Sequence, residues 1–238
     1  LVAAVSLPAA IYGTAYMVEY EGRCSLPFFG LMFNAFLLGM SLVPCAGNIF
    51  TFVLAWELMA VASYFLVMTE SERADTRQAG LWYAAMTHLG LVLLLPMFFL
   101  LAAGGAGTAF GDLRAGATVL TAGTRNAVFL LALVAFGSKA GMVPLHVWLP
   151  RAHPAAPSHV SALMSGVMIE LGIYGLVRVV FDFMSGGPAW WGGLLLAAGS
   201  ASALLGVLYA LMENDLKRLL AYSSVENIGI IFVGFGAG

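Results

Sequence analysis

Eight stretches of this sequence stay apolar for about 20 residues, the length an α-helix needs to cross the hydrocarbon of a bilayer. They are Leu1–Val18, Phe28–Ala46, Ile49–Met68, Gly80–Ala103, Asn126–Val143, Ser158–Phe181, Ala189–Met212 and Leu216–Gly238. A chain patterned this way is expected to be an all-α integral membrane domain of about eight transmembrane helices. Charge content agrees, since only 9% of residues are charged where a soluble domain carries roughly 25%. Water cannot solvate such a surface, and lipid can.

The formal net charge of -2 offers no basic face, so no nucleic acid partner is expected. Cys24 and Cys45 lack metal-ligand spacing and make no disulfide framework. They read as small apolar residues. Leu1–Val18 follows no basic segment and precedes no A-x-A-like site, so it does not read as a signal peptide. The sequence opens on Leu1 and stops within the apolar run Ile228 to Gly238. Residues 1–238 are therefore expected to be one membrane-domain fragment of a longer chain.

Polar residues gather in the connectors, at 19–23, 70–78, 104–125 and 185–188. Spans two and three are separated only by Gly47-Asn48, which predicts a helical hairpin. Connectors after odd-numbered spans hold Arg23, Arg73, Arg77, Arg151, Lys217 and Arg218, against Arg114, Arg125 and Arg178 after even-numbered ones. The excess of basic residues places the odd-following connectors in the cytoplasm.

Ionisable residues fall well inside five of the spans: Glu57, His88, Lys139, Glu170 and Glu226. A charge at a helix centre costs about 2.5–3.5 kcal/mol on insertion scales. Any one of them alone is explained by burial against a polar neighbour; five together point to use. At 1.5 Å per residue they lie about 12 Å (Glu57 and His88), about 15 Å (Glu226), about 18 Å (Glu170) and about 20 Å (Lys139) along their spans. A lateral row at the midplane, passing protons through short water chains, follows as the expectation. Glu and Lys suit that work because burial and an opposite charge pull their proton affinities in opposing directions. Parting Glu57 from Lys139 makes the lysine readier to release its proton. Arginine could not serve, because guanidinium does not deprotonate in proteins.

Span five is irregular. Gly137 and Gly141 flank Lys139, and Pro144 is expected to disrupt the helix. Broken helices at membrane depth occur where they line a cavity or pack within protein, and they mark transport sites. The two glycines also form a small-xxx-small face, which would serve packing alone. Residues 151–158, with Pro154 and Pro157, are expected to form a loop. His146, His153 and His159 surround it without metalloprotease spacing. His146 is the one placed on the proton route; His153 and His159 read as loop or cap residues.

These residues carry a resemblance. Trp56-Glu57-Leu58-Met59 resembles the glutamate-bearing helix of the antiporter-like subunits of complex I. Lys139 followed by Pro144-Leu145-His146-Val147-Trp148-Leu149-Pro150 resembles the lysine-bearing broken helix of the same superfamily. Ala152-His153-Pro154-Ala155-Ala156-Pro157-Ser158 and Asp215-Leu216-Lys217-Arg218-Leu219-Leu220-Ala221-Tyr222 are similar to further signatures. Met86-Thr87-His88 and Ser224-Val225-Glu226-Asn227 look most like the hydrogenase-4 component B and formate hydrogenlyase subunit 3 branch, the membrane arms of group 4 NiFe hydrogenases.

The resemblance implies two inverted five-helix repeats. Residues 28–181 would be the first, 189–238 the start of the second, and the chain would run from roughly the third to the tenth helix of the family fold. It implies that Glu57 is the pairing glutamate and Lys139 the first central proton carrier, with Lys217 structural. It also implies a prokaryotic inner membrane, other membrane subunits, and a peripheral hydrogenase or dehydrogenase arm holding the NiFe and iron–sulfur centres. No cofactor is expected in this chain, whose Cys and Gly patterns suit neither cluster, haem nor dinucleotide. One departure stands out: Glu170 occupies a position where the family usually carries lysine or histidine.

Three functions compete. The first is a proton-translocating subunit of a hydrogenase- or complex I-like oxidoreductase. The second is a subunit of a multi-subunit sodium/proton antiporter, which shares the motifs. The third is a haem- or quinone-binding anchor, for which only His88 lies clearly at depth.

Overall fold

The computed structural model describes residues 1–105 and 107–238. Among the described residues the chain is helical, with one isolated bridge between Asn48 and Ala109 and no strand. Eight runs are long and apolar enough to cross a membrane: Val2–Tyr20, Leu26–Cys45, Ile49–Glu70, Ala74–Ala102, Ala122–Ala155, Ser158–Phe183, Ala189–Met212 and Leu216–Ala237. They are built from α1 (Val2–Tyr16), α2 (Leu26–Cys45), α3 (Ile49–Val67), α4 (Ala74–Ala102), α6 (Ala122–Ala140), α7 (Leu149–Ala155), α8 (Ser158–Leu163), α9 (Ile169–Val177), α10 (Ala189–Met212) and α11 (Leu216–Ala237). A short α5 (Phe110–Ala117) lies between the fourth and fifth spans.

Each expected apolar run corresponds to one span, and the differences sit at the edges. Helix α4 begins at Ala74 rather than Gly80, with Asp75 in its first turn, where a carboxylate complements the helix dipole. The stretch expected to be a loop at 151–158 is instead mostly helix, because Leu149–Ala155 forms α7. Pro150 stands in its first turn, where no backbone donor is needed, and Pro154 comes one residue before its end.

Caps fix three of the starts. Asn48 accepts from Thr51 N at 2.8 Å, Thr121 from Thr124 N at 3.2 Å, and Asp215 from Arg218 N at 2.9 Å. Such caps stabilise by about 1 kcal/mol each. The Gly47-Asn48 hairpin forms as expected, and α2 and α3 approach closely. A Cβ added at Gly39 would stand 2.7 Å from Met59 N. The same device joins α10 to α11, where a Cβ at Gly206 would stand 2.6 Å from Glu226 N. In lipid, where apolar burial between helices gains little, such close backbone packing is the main adhesive.

Burial shows which spans are central. In the fifth and sixth, 67% and 61% of the apolar window is buried, against 17% in the first. Large side chains left outside, such as Leu54 at 72% and Phe99 at 76% exposure, face where acyl chains would lie. The two ends of the bundle are also distinct. At one, Ile49 N donates to Thr108 O at 3.0 Å, and the Arg114 guanidinium meets Asp182 at 2.6 Å. At the other, Ser158 Oγ donates to Tyr16 Oη at 3.3 Å and Lys217 Nζ to Ala156 O at 2.8 Å.

Candidate functional site

Lys139 sits in the last turn of α6 and is 3% exposed. The helix ends there because Gly141 takes the left-handed conformation, φ +79°, which glycine adopts without strain. The amides of Gly141 and Met142 both turn back to Gly137 O. The break therefore comes three residues before Pro144, and a glycine cap makes it. After it, the 3₁₀ turn Leu145–Trp148 folds back, and Trp148 Nε1 donates to Ser138 O at 2.8 Å. The expected Gly137/Gly141 packing face is not what brings helices to the lysine. Gly172 of α9 does so, since a Cβ there would lie 2.8 Å from Ala140 N.

The ammonium is met by neutral groups. Nζ donates to Tyr83 Oη at 3.2 Å. It also lies 5.3 Å from the Tyr83 ring centre and 6.0 Å from that of Trp56, both within cation–π range. The carbonyl end of α6 adds a partial negative charge. Tyr83 Oη lies 2.5 Å from Ser63 Oγ, which in turn donates to Met59 O at 2.6 Å. Tyr83 and Ser63 are fully buried, and the Trp148 ring closes edge-on over Tyr83 at 5.2 Å.

The expected Glu57–Lys139 pair is not formed: among the described residues no carboxylate lies within ion-pair distance of Lys139. Glu57 is half-buried on α3, beside Trp56, and its Oε1 is buried with no hydrogen-bond partner among the described residues. His146 lies in the 3₁₀ turn. Its Nδ1 is likewise buried and without a partner, and its ring centre stands 6.4 Å from that of Tyr222 on α11. Glu170 is half-buried at the start of α9, directly after the π-helical turn Met164–Met168. Glu226 is half-buried on the side of α11 that meets Gly206. None of these acids forms an ion pair among the described residues. Among the described residues the groups of the expected row make no direct hydrogen bond to one another.

His88 does not join it. On α4 the buried stripe is Tyr83, Thr87, Gly90, Leu94, Met97 and Leu101. His88 lies one residue, or about 100°, away from Thr87. That places it on the outward stripe with Leu81, Ala85, Val92, Leu95 and Phe99. Its Nδ1 is 2.8 Å from Ala84 O, and it borders a groove of about 200 Å³ between α3 and α4.

His153 and His159 are neither loop nor exposed cap residues. They are 2% and 3% exposed, in α7 and α8. His153 Nδ1 lies 2.8 Å from Ser161 Oγ, and the rings of Tyr16, Phe29 and Phe33 surround His159 at 5.4–5.6 Å. Among the described residues no group of three or more His, Cys, Asp or Glu is placed to hold a metal. Tyr83 and Ser63 escaped the sequence reading because it followed charge. Their signal was a hydroxyl within a largely apolar span, one that Thr51, Tyr64 and Thr87 carry equally.

Comparison with known proteins fits this architecture. The chain is 46% identical over 229 residues to hydrogenase-4 component B of Escherichia coli (strain K12), covering 95% of this chain and 34% of that one. It is 33% identical over 231 residues to formate hydrogenlyase subunit 3 of the same organism, covering 96% and 36%. The solved Mrp complex from Dietzia sp. DQ12-45-1b superposes with a TM-score of 0.80 at 26% identity, covering 87% of this chain and 23% of the matched one. The chain thus spans about a third of the length of the curated relatives it matches. The family model described as NADH:quinone oxidoreductase/Mrp antiporter, TM, matches residues 46–238, and this chain is a member of that family.

Proposed function

We propose that the chain is part of a proton-translocating membrane subunit of a group 4 NiFe hydrogenase or complex I-like oxidoreductase. The single observation that carries this reading is Lys139. A buried amine, held by a hydroxyl and two rings, has no carboxylate partner among the described residues, while Glu57 on α3 presents an oxygen that likewise has none there. A lysine held this way is free to exchange partners, and with them its proton. Glu170, His146 and Glu226 are the further relay groups, joined to it by water rather than by direct contact. Residues 28–181 form the first five-helix repeat and 189–238 open the second. Electrons are handled by NiFe and iron–sulfur centres in partner subunits of a peripheral arm. The protein resides in the inner membrane of a prokaryotic cell.

Lys139→Ala is expected to stop proton pumping in vesicles carrying the assembled complex, and Glu57→Gln to lower the protons moved per electron. Pumping that survives Lys139→Ala would remove the lysine from the route. The likeness to an Mrp complex supports a second reading, a subunit of a sodium/proton antiporter. A sodium-dependent pH gradient in vesicles lacking any hydrogenase would favour it.

A further inference from the structure

The Lys139–Tyr83–Ser63 contact has a direction. Lysine has only hydrogens to give, so Tyr83 Oη must accept from Nζ. Ser63 Oγ, 2.6 Å from Met59 O and 3.0 Å from Ala60 O, gives its hydrogen to a backbone carbonyl, which leaves its lone pairs free for the Tyr83 hydroxyl, whose weaker alternative acceptor is Met168 Sδ at 3.5 Å. Every hydrogen in the chain therefore points away from the lysine. The chain ends on a backbone carbonyl, which passes no proton onward. As a conduit it is closed; as a fixed acceptor for an ammonium it is complete, and its members are fully buried. Glu57 stands on the same helix as Ser63, six residues earlier by number (63 − 57), with an oxygen lacking any partner among the described residues.

We propose that Tyr83 and Ser63 are positioning residues that form a docking station for protonated Lys139, the alternative to Glu57. The station holds the amine at the broken end of α6 until Glu57 draws it across. Trp56, next to Glu57 in sequence and 6.0 Å from Nζ at its ring centre, offers its face to the cation. This inference rests on the proton-translocation reading above.

The test uses the full complex in sealed vesicles and reads protons moved per electron. A hydrogen bond to a charged group governs equilibria by about ten-fold or more, so Tyr83→Phe is expected to lower the ratio about ten-fold. Ser63→Ala leaves Tyr83 Oη in place with only the weak acceptor Met168 Sδ at 3.5 Å, and is expected to lower it about three-fold, a fraction of that effect. The decisive measurement is the double variant Tyr83→Phe/Glu57→Gln. Two stations for one lysine are coupled, so the combined loss should be no greater than the larger single loss. Losses that multiply would assign Tyr83 an independent packing role and overturn the proposal, as would a parental ratio in Tyr83→Phe. If Tyr83→Phe fails to assemble, the Ser63→Ala/Glu57→Gln cycle decides in the same way. Lys139→Ala run in parallel separates the two failures. Pumping that survives it defeats the translocation reading, whereas pumping lost there but intact in Tyr83→Phe and Ser63→Ala defeats the station alone.

Discussion

Lys139→Met separates a working lysine from a packing one. Methionine keeps the unbranched stem and removes the charge. In the parent, taking an ammonium out of water carries a penalty of several kcal/mol. Against this stand one hydrogen bond to Tyr83 Oη at 3.2 Å and two ring faces at 5.3 and 6.0 Å. The charge-assisted hydrogen bond contributes about 1.5–3 kcal/mol, and each ring about 0.5–2 kcal/mol. Gains and penalty nearly cancel. Removing Nζ orphans nothing, because the Tyr83 hydroxyl still has Ser63 Oγ at 2.5 Å. The expected change in stability is within about 1 kcal/mol of zero, of either sign. Lys139→Ala differs, because it leaves a void at a site 3% exposed. Truncating a long buried side chain to alanine costs about 2–5 kcal/mol.

The assay pairs unfolding of the complex in nanodiscs with proton uptake by vesicles. Lys139→Met should match the parent in unfolding and move no protons. A Met variant destabilised by more than about 3 kcal/mol, as large as the outright loss of a buried partner, would refute the reasoning. It would mean that the ammonium holds the helices together, and that the loss of pumping reports structure rather than chemistry.

Gly141→Ala should destabilise by about 1–2 kcal/mol, the steric penalty of the left-handed conformation for a side chain, with a further cost from the Leu149 methyl 2.5 Å from the new Cβ. It should also lower pumping, because α6 would end at a different residue and carry Nζ off Tyr83; unchanged unfolding would mean that the glycine does not set the stop. His88→Phe should leave the proton-to-electron ratio unchanged, because His88 shares the outward stripe of α4 with Val92 and Phe99. A ratio that falls with assembly intact would return His88 to the route.

The apolar runs made the spans legible, since lipid demands the same length from every crossing helix. Edges were less legible because they depend on local capping. Asp75 extends α4 by giving its N-terminus a negative charge, and no hydropathy pattern records that. Prolines misled the reading at 151–158, since Pro150 at a helix start and Pro154 near the end of α7 are both compatible with helix. Within the site, charge located Lys139 and Glu57 but assumed that they meet. The partners the lysine does meet carry no charge. Hydroxyl groups in apolar runs are common enough that only the fold tells Ser63, facing Tyr83, from Ser41, whose hydroxyl turns back to Leu37 O. His88 failed for a related reason. Depth along a helix says nothing about its face, and one residue of phase turned it outward.

The helix break gives the lysine a property that a continuous helix would deny it. In mid-helix, backbone carbonyls are engaged, and an ammonium there needs a carboxylate to be tolerated in hydrocarbon. At the end of α6 a phenol and two rings share that duty, while the last carbonyls are taken by the Gly141, Met142 and Trp148 N–H groups. How close these neutral groups stand to Nζ is set by the turn at Gly141 and the Trp148–Ser138 bond. A motion of the 3₁₀ turn by an ångström would alter it, with no new charge required. That makes the Leu145–Trp148 turn the element whose position sets the surroundings of Nζ.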